Sequence, residues 1–252
     1  MPASIDFNGR VALVTGGTKG IGRVIAERFA SAGAAVIACG RTEPDERRAA
    51  EFLACDVRDP EQVDAMVASI VAAHHRLDVV VNNAGGAPSA EAATASPRFS
   101  EAIVRLNLLA PLFVAQAANR VMQQQDDGGS IVNIASVSGV RPSPTAAAYG
   151  AAKAGLLNLT QTLAVEWAPK VRVNAVTAGM IRTEQAGSYY GDDDGIAAVG
   201  ATVPLGRMGE PIDIADACLY LASAMAAYVS GANLLVHGGG EQPAYLSVAK
   251  PT

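Results

Sequence analysis

The chain has 252 residues, 50% hydrophobic, 5% aromatic and 17% charged, with a formal net charge of -5 and a pI near 5.2. The apolar fraction suffices for a sizeable core, which excludes global disorder, and the acidic balance lacks the basic surplus of a general nucleic-acid binder. With alanine near one residue in five and 25 glycines, a core short of aromatics is built from small and branched aliphatic side chains, an α/β character more than an all-β one.

Short aliphatic runs alternate with longer helical patterns along the chain. Strands are expected at Val11–Thr15, Ala35–Cys39, Phe52–Cys55, Val79–Asn82, Ser130–Ile134, Val171–Val176 and Asn233–Val236. Helices are expected at about Ile21–Ala32, Asp59–His74, Pro97–Gln125, Thr145–Ala168 and Ile212–Ser223. The strands are continuously apolar, which means burial on both sheet faces. Strand–helix alternation then predicts a Rossmann-type, doubly wound parallel sheet of seven strands, with helices on both faces, as one domain over residues 1–252. The polar stretch Thr42–Arg48 reads as a surface loop. The segment from about 184 to 205, with Tyr189, Tyr190 and three consecutive aspartates, interrupts the rhythm after the sixth strand. It reads as a mobile lid, since ligands of open α/β sheets bind beyond the strands' carboxyl ends.

Cys39, Cys55 and Cys218 are odd in number and far apart in sequence, with no paired spacing and no histidine cluster, so they read as buried reduced thiols and no metal is expected. Met1–Asp6 lacks a basic region followed by an apolar run, and no uninterrupted apolar stretch reaches the about 20 residues that span a bilayer. A soluble cytoplasmic protein, with neither membrane nor nucleic acid as partner, is the expectation.

Thr15-Gly16-Gly17-Thr18-Lys19-Gly20-Ile21-Gly22 follows the first strand and opens the first helix. Glycines there permit a tight turn and a close approach of backbone to a diphosphate, and the helix amino terminus offers free N–H groups and a positive dipole end. The spacing differs from the GxGxxG of the commoner dinucleotide folds. Together with Asn82-Asn83-Ala84-Gly85 after the fourth strand, Tyr149-Gly-Ala-Ala-Lys153, Ser136 thirteen positions before Tyr149, and Asn107 in the long helix, it resembles the short-chain dehydrogenase/reductase family over about Gly9 to Gly240.

Several expectations follow. Tyr149 can protonate a carbonyl oxygen, but free tyrosine titrates near ~10, so a neighbouring cation is needed. Lys153, four residues on and on the same helix face, is expected to lower its pKa. The resemblance implies that Lys153 also holds the nicotinamide ribose, that Ser136 holds the substrate oxygen, and that Asn107 anchors a water in a proton relay. Ser138 stands two positions beyond Ser136. Pro111 has no N–H for the Asn107 carbonyl, so a kink is expected there.

No acid stands at the end of the second strand, which reads Cys39-Gly40-Arg41. With Lys19 in the glycine turn, Arg41 can meet a 2′-phosphate, which favours NADP(H) over NAD(H). The resemblance implies that Asp56 and Val57 flank the adenine and that Asn83, Ala84 and Gly85 line the adenosine side. It also implies that Gly179, Ile181 and Thr183 reach the nicotinamide. Ser138, Met180, Tyr189 and Tyr190 are candidate substrate contacts. Two departures from the family pattern stand out: Ala178-Gly179 where the family has Pro-Gly, expected to loosen that loop, and His237 where it has aspartate.

The expected activity is NADP(H)-dependent interconversion of a ketone and a secondary alcohol. A 3-oxoacyl thioester is the first substrate class, a steroid or other hydrophobic alcohol the alternative, and a non-catalytic dinucleotide-binding regulator the distant one. The resemblance implies a homotetramer, with a dimer next. The tail Glu241–Thr252 is expected to fray or to pack on a neighbouring subunit.

Overall fold

A computed structural model describes residues 5–44 and 50–249. Most of the expected 42–48 loop, the first four residues and the last three lie outside them. Seven strands, β1 (Val11–Thr15), β2 (Ala35–Gly40), β3 (Glu51–Ala54), β4 (Val79–Asn82), β5 (Gly129–Ser136), β6 (Val171–Ala178) and β7 (Asn233–Val236), form one parallel sheet in the order β3-β2-β1-β4-β5-β6-β7. Alternate strand residues feed two cores. Leu13, Val80 and Ile131 face helices α2 (Pro60–His74), α4 (Ala110–Met122) and α5 (Ala147–Glu166). Ala12, Val81 and Val132 face α1 (Gly20–Ser31) and α8 (Pro211–Ala222). This double burial is why the strands read as unbroken aliphatic runs.

Helix starts follow local chemistry. Asp59 accepts from the Glu61 N–H ahead of Pro60, Ser96 accepts from the Phe99 N–H ahead of Pro97, and Asp213 reaches back to the Glu210 N–H at 2.7 Å ahead of Pro211. The expected helix over Pro97–Gln125 is α3 (Pro97–Val104), a π-helical turn at Arg105–Leu109, and then α4. In the π turn the Ala110 N–H donates to Arg105 O, so the disturbance expected near Pro111 takes this form. Over Pro97–Met122 this helix is long and apolar enough to cross a membrane. It packs as a core helix, burying Ala110, Val114, Ala118 and Met122.

The segment expected as a lid is mostly helical, with α6 (Ala186–Tyr190) and α7 (Asp193–Ala201), the latter capped by Asp192 on the Gly195 N–H. All three cysteines are buried and unpaired. Cys39 and Cys55, distant in sequence, are neighbours in space: they hydrogen-bond each other, which pushes the Cys39 thiol well up and pulls that of Cys55 down. The tail is tied at its start by an Arg141–Glu241 ion pair and then carries exposed Tyr245 and Val248.

Candidate active site

The order of strands reverses between β1 and β4, and a crevice opens there beyond their carboxyl ends. The loops after both strands are locked together. Thr15 Oγ1 accepts from the N–H groups of Asn83 and Ala84, each at 3.0 Å, while Asn83 Nδ2 donates to Thr15 O and Gly16 O. Gly16 sits at φ +62°, and a methyl group there would stand 3.1 Å from Ala84 Cα. One on Gly22 would stand 2.3 Å from both Gly16 O and Asn83 Nδ2. Only glycine fits this turn.

Lys19 precedes α1 without capping it by a side-chain hydrogen bond, and the first turn of α1 holds no acid. The turn and α1 together form a cradle that fits a dinucleotide diphosphate. Thr18 lies beside Gly40, and Ile21 packs partly into the core below. Lys19 and Arg41 are both exposed.

On the adenosine side, the Asp56 carboxylate is engaged by Arg58 at 2.5 Å, which brings its pKa to about 2, with Arg41 adding a smaller pull. Val57 contributes its side chain to the core; only its backbone remains for an adenine.

Ser136 ends β5, as expected, and its Oγ accepts from the Ser138 N–H at 3.2 Å. Tyr149 and Lys153 lie one turn apart on α5. Burial raises the Tyr149 pKa, and the hydrogen bond with Ser136 opposes that rise. This differs from the expected cation-lowered hydroxyl. Lys153 Nζ instead donates to Ile134 O at 2.7 Å and stands 5.7 Å from the centre of the Tyr149 ring. Lys153 is 3% exposed, and burial alone pulls its pKa from 10.5 to about 8.

Asn107 is fully buried in the π turn. Its Oδ1 accepts from the Gly86 N–H, and its Nδ2 donates to Gly86 O and Ile103 O, each at 2.9 Å. The side chain is thereby committed to clamping the loop after β4. Gly85 passes between the two helices, and a methyl group on it would stand 2.8 Å from Asn107 Oδ1 and 3.3 Å from Lys153 Nζ.

Gly179 follows β6, and its N–H donates to Val236 O. A side chain there would strike the backbone of His237 at 2.7 Å. Strand pairing on both sides holds Ala178, so the missing proline does not leave the start of this loop untethered. The His237 carbonyl accepts from the Gly240 N–H. Ile181 bridges to Gly209, and the Thr183 hydroxyl accepts from the Gln185 N–H.

The candidate substrate residues separate. Tyr189, 63% exposed, lies within electrostatic reach of the Tyr149 hydroxyl, whereas Tyr190 sits beside Arg141 and Glu241. Met180 is half-buried, with its carbonyl taken by the Gly209 N–H, and Ser138 turns its carbonyl toward Gly150.

None of these four lines the cavity beside Tyr149. That space, about 350 Å³, is walled by Ala87, Pro88, Ala90, Ala92, Ala95, Phe99, Ile103 and Val104 on one side and by Thr145–Tyr149 on the other, with Ser100, Thr145 and Tyr149 its polar side chains. The Ala90 N–H donates to Thr145 O at 2.9 Å and joins the two walls. Sequence reasoning passed over this cavity and the Thr15 clamp. Five alanines within Ala87–Ala95 are the signal that could have marked the wall. A second cavity, at the opposite end of the sheet, is lined by Arg10 and Asp78, charges already paired to each other.

Residues 16–241 match a family model described as Enoyl-(Acyl carrier protein) reductase. The chain belongs to the short-chain dehydrogenase/reductase family. It is 37% identical over 242 residues to a 3alpha-hydroxysteroid dehydrogenase of Mediterraneibacter gnavus, covering 91% of this chain and 96% of that one. It is 35% identical over 243 residues to the 3-oxoacyl-[acyl-carrier-protein] reductase of Escherichia coli, covering 93% and 98%. The solved ligand-free aldohexose dehydrogenase of Thermoplasma acidophilum superposes with a TM-score of 0.89 at 33% identity, over 99% of this chain and 98% of that one. The short-chain dehydrogenase/reductase described here is an oxidoreductase of CH–OH groups that uses a nicotinamide dinucleotide.

Proposed function

We propose that the protein is an NADP(H)-dependent oxidoreductase that interconverts a ketone bearing an apolar chain and the corresponding secondary alcohol, with a 3-oxoacyl thioester as the first substrate class. The observation that carries the reading is the Ser136–Tyr149 pair, with buried Lys153 beside it, between the apolar cavity and Gly85.

Bound NADPH supplies the hydride. Ser136 Oγ orients the substrate oxygen, and Tyr149, kept protonated by burial, gives that oxygen its proton. In the oxidative direction Tyr149 has to accept a proton, so alcohol oxidation gains from higher pH. Lys153 supplies a positive charge next to the Tyr149 ring and is the natural partner for the ribose hydroxyls. Pro111 brings no N–H to the Asn107 carbonyl at the four-residue spacing, which suits that carbonyl, rather than the committed side chain, to the proton relay toward Lys153.

Preference for NADP(H) rests on exposed Lys19 and Arg41 and on the lack of a carboxylate at Gly40. The cavity favours an apolar substituent. Beyond Tyr149, Ser100 and Thr145 are the polar side chains of its lining, too few to partner the several hydroxyls of an aldohexose, and unpaired buried hydroxyls are costly. A steroid or other hydrophobic alcohol is the second reading, which the same apolar lining favours. The proposal includes a cytoplasmic enzyme assembled as a homotetramer. Exposed Val165 on α5, Leu235 on the edge strand β7 and Tyr228 support association.

The test follows NADPH and NADH consumption with a 3-oxoacyl thioester, a ketosteroid, an aldohexose and an enoyl thioester, for wild type and Tyr149→Phe. Turnover of the oxo substrates with NADPH, lost in Tyr149→Phe while NADPH still binds, is the expected result. Reduction of the enoyl thioester alone overturns the carbonyl reading, and tight NADPH binding without turnover favours the non-catalytic regulator.

A further inference from the structure

The first turn of α1 already has an anion seated on it. Glu184, in the segment that leaves β6, is exposed but reaches its carboxylate across to α1. Its Oε1 accepts from Arg23 Nη2 at 2.7 Å, and Arg23 also pairs with Glu27 one turn along the same helix. Its Oε2 lies 3.8 Å from the point where a Gly20 side chain would begin, next to Thr183 Cγ2 at 3.9 Å from the same point. The carboxylate is held below its usual pKa first by its own backbone N–H, then by Arg23 and by the Gly20 N–H. Glu184 therefore brings a carboxylate oxygen up to the helix end that favours a phosphate oxygen. Neither Lys19 nor any acid in the first turn of α1 competes for that place.

We propose that Glu184 is an intramolecular competitor of the dinucleotide diphosphate, latched by Arg23, and that it sets the affinity and release rate of the cofactor. This rests on the dinucleotide reading above. The carboxylate stands over the first turn of α1, 3.8 Å from the point where a Gly20 side chain would begin, so a diphosphate seated there displaces Glu184 and frees the Arg23 guanidinium. Displacement moves the chain next to Thr183, which faces the same crevice. Cofactor binding and the position of the 184–205 segment are thereby coupled through one side chain, and product dinucleotide leaves as Glu184 returns.

The test measures dissociation constants by calorimetry for wild type and Glu184→Gln. The ligands are NADPH, NADH, ADP-ribose, which carries the diphosphate, and adenosine, which does not. Glu184 is exposed, so the glutamine variant folds, and circular dichroism checks it. The variant is expected to bind NADPH and ADP-ribose two- to fivefold more tightly, the factor that matches an exposed charge at a helix terminus, with adenosine unchanged and the gain shrinking at high salt. Equal or weaker ADP-ribose binding by the variant, or adenosine tightened as much as ADP-ribose, overturns the proposal while leaving the dinucleotide site standing. Wild type that binds neither NADPH nor NADH overturns the dinucleotide reading itself, and the proposal with it.

Discussion

Replacing Lys153 with methionine is expected to inactivate the enzyme and to stabilise the fold. Lys153 Nζ makes one hydrogen bond, to Ile134 O, and burial lowers its pKa from 10.5 to about 8. A displacement of that size corresponds to roughly 3 kcal/mol by which folding disfavours the charged lysine. Methionine is similar in length and carries no charge, but it forfeits a hydrogen bond worth about 1 kcal/mol. The net gain near neutral pH is about 2 kcal/mol, a rise in Tm of about 4–8 °C for a chain of this size.

The pH dependence follows from the direction of the shift. Below about pH 8 the lysine is charged in both folded and unfolded chains, and the whole penalty is present. Between about 8 and 10.5 the unfolded chain keeps the proton that the folded one has released. Wild type therefore gains stability as pH rises through that window, and the gap to Lys153→Met closes. Thermal unfolding of both proteins by circular dichroism, from neutral to alkaline pH, measures it. A methionine variant less stable than wild type at neutral pH, or a gap that does not change with pH, refutes the reasoning.

Other substitutions test the remaining parts. Arg41→Ala is expected to weaken NADPH binding about fivefold, the effect of losing one exposed charge-assisted contact, and to leave NADH unchanged in fluorescence titrations. Gly40→Asp meets ordinary contacts with Thr18 and Phe52, so it should fold and turn the preference toward NADH by titration. Gly85→Ala forces Asn107 and Lys153 apart and should cut kcat/KM by at least about tenfold, as small displacements of catalytic groups do, with an unchanged circular dichroism spectrum. Ala95→Phe fills the cavity and should raise KM for long-chain oxo substrates but not for short ones in steady-state assays.

The sheet was legible because each strand is buried on both faces, which leaves a continuous aliphatic run in the sequence. All seven strands stand at the expected places. The glycine turn and the Tyr149–Lys153 pair were legible because local geometry imposes their spacing, whereas Ser136 was legible through the family resemblance. What was not legible depends on distant partners. Tyr149 lies above rather than below its ordinary pKa because burial outweighs the Ser136 hydrogen bond, and Lys153 turns its proton to Ile134 O. The Asn107 side chain is committed by Gly86, a contact that spacing along the helix cannot reveal. Cys39 and Cys55 meet only because β2 and β3 pair in parallel. The 184–205 segment read as a loop because its polar, glycine-containing sequence lacks a sustained helical period, yet Asp192 caps a helix within it.

The destination of the hydride decides most directly whether this protein reduces a carbonyl. Turnover of a 3-oxoacyl thioester with NADPH deuterated at the transferring position of the nicotinamide, followed by mass spectrometry of the product, locates it. The account predicts one deuterium on the carbinol carbon in wild type and no product in Tyr149→Phe. Product without deuterium on the carbinol carbon, or product formed at an unchanged rate by Tyr149→Phe, contradicts it.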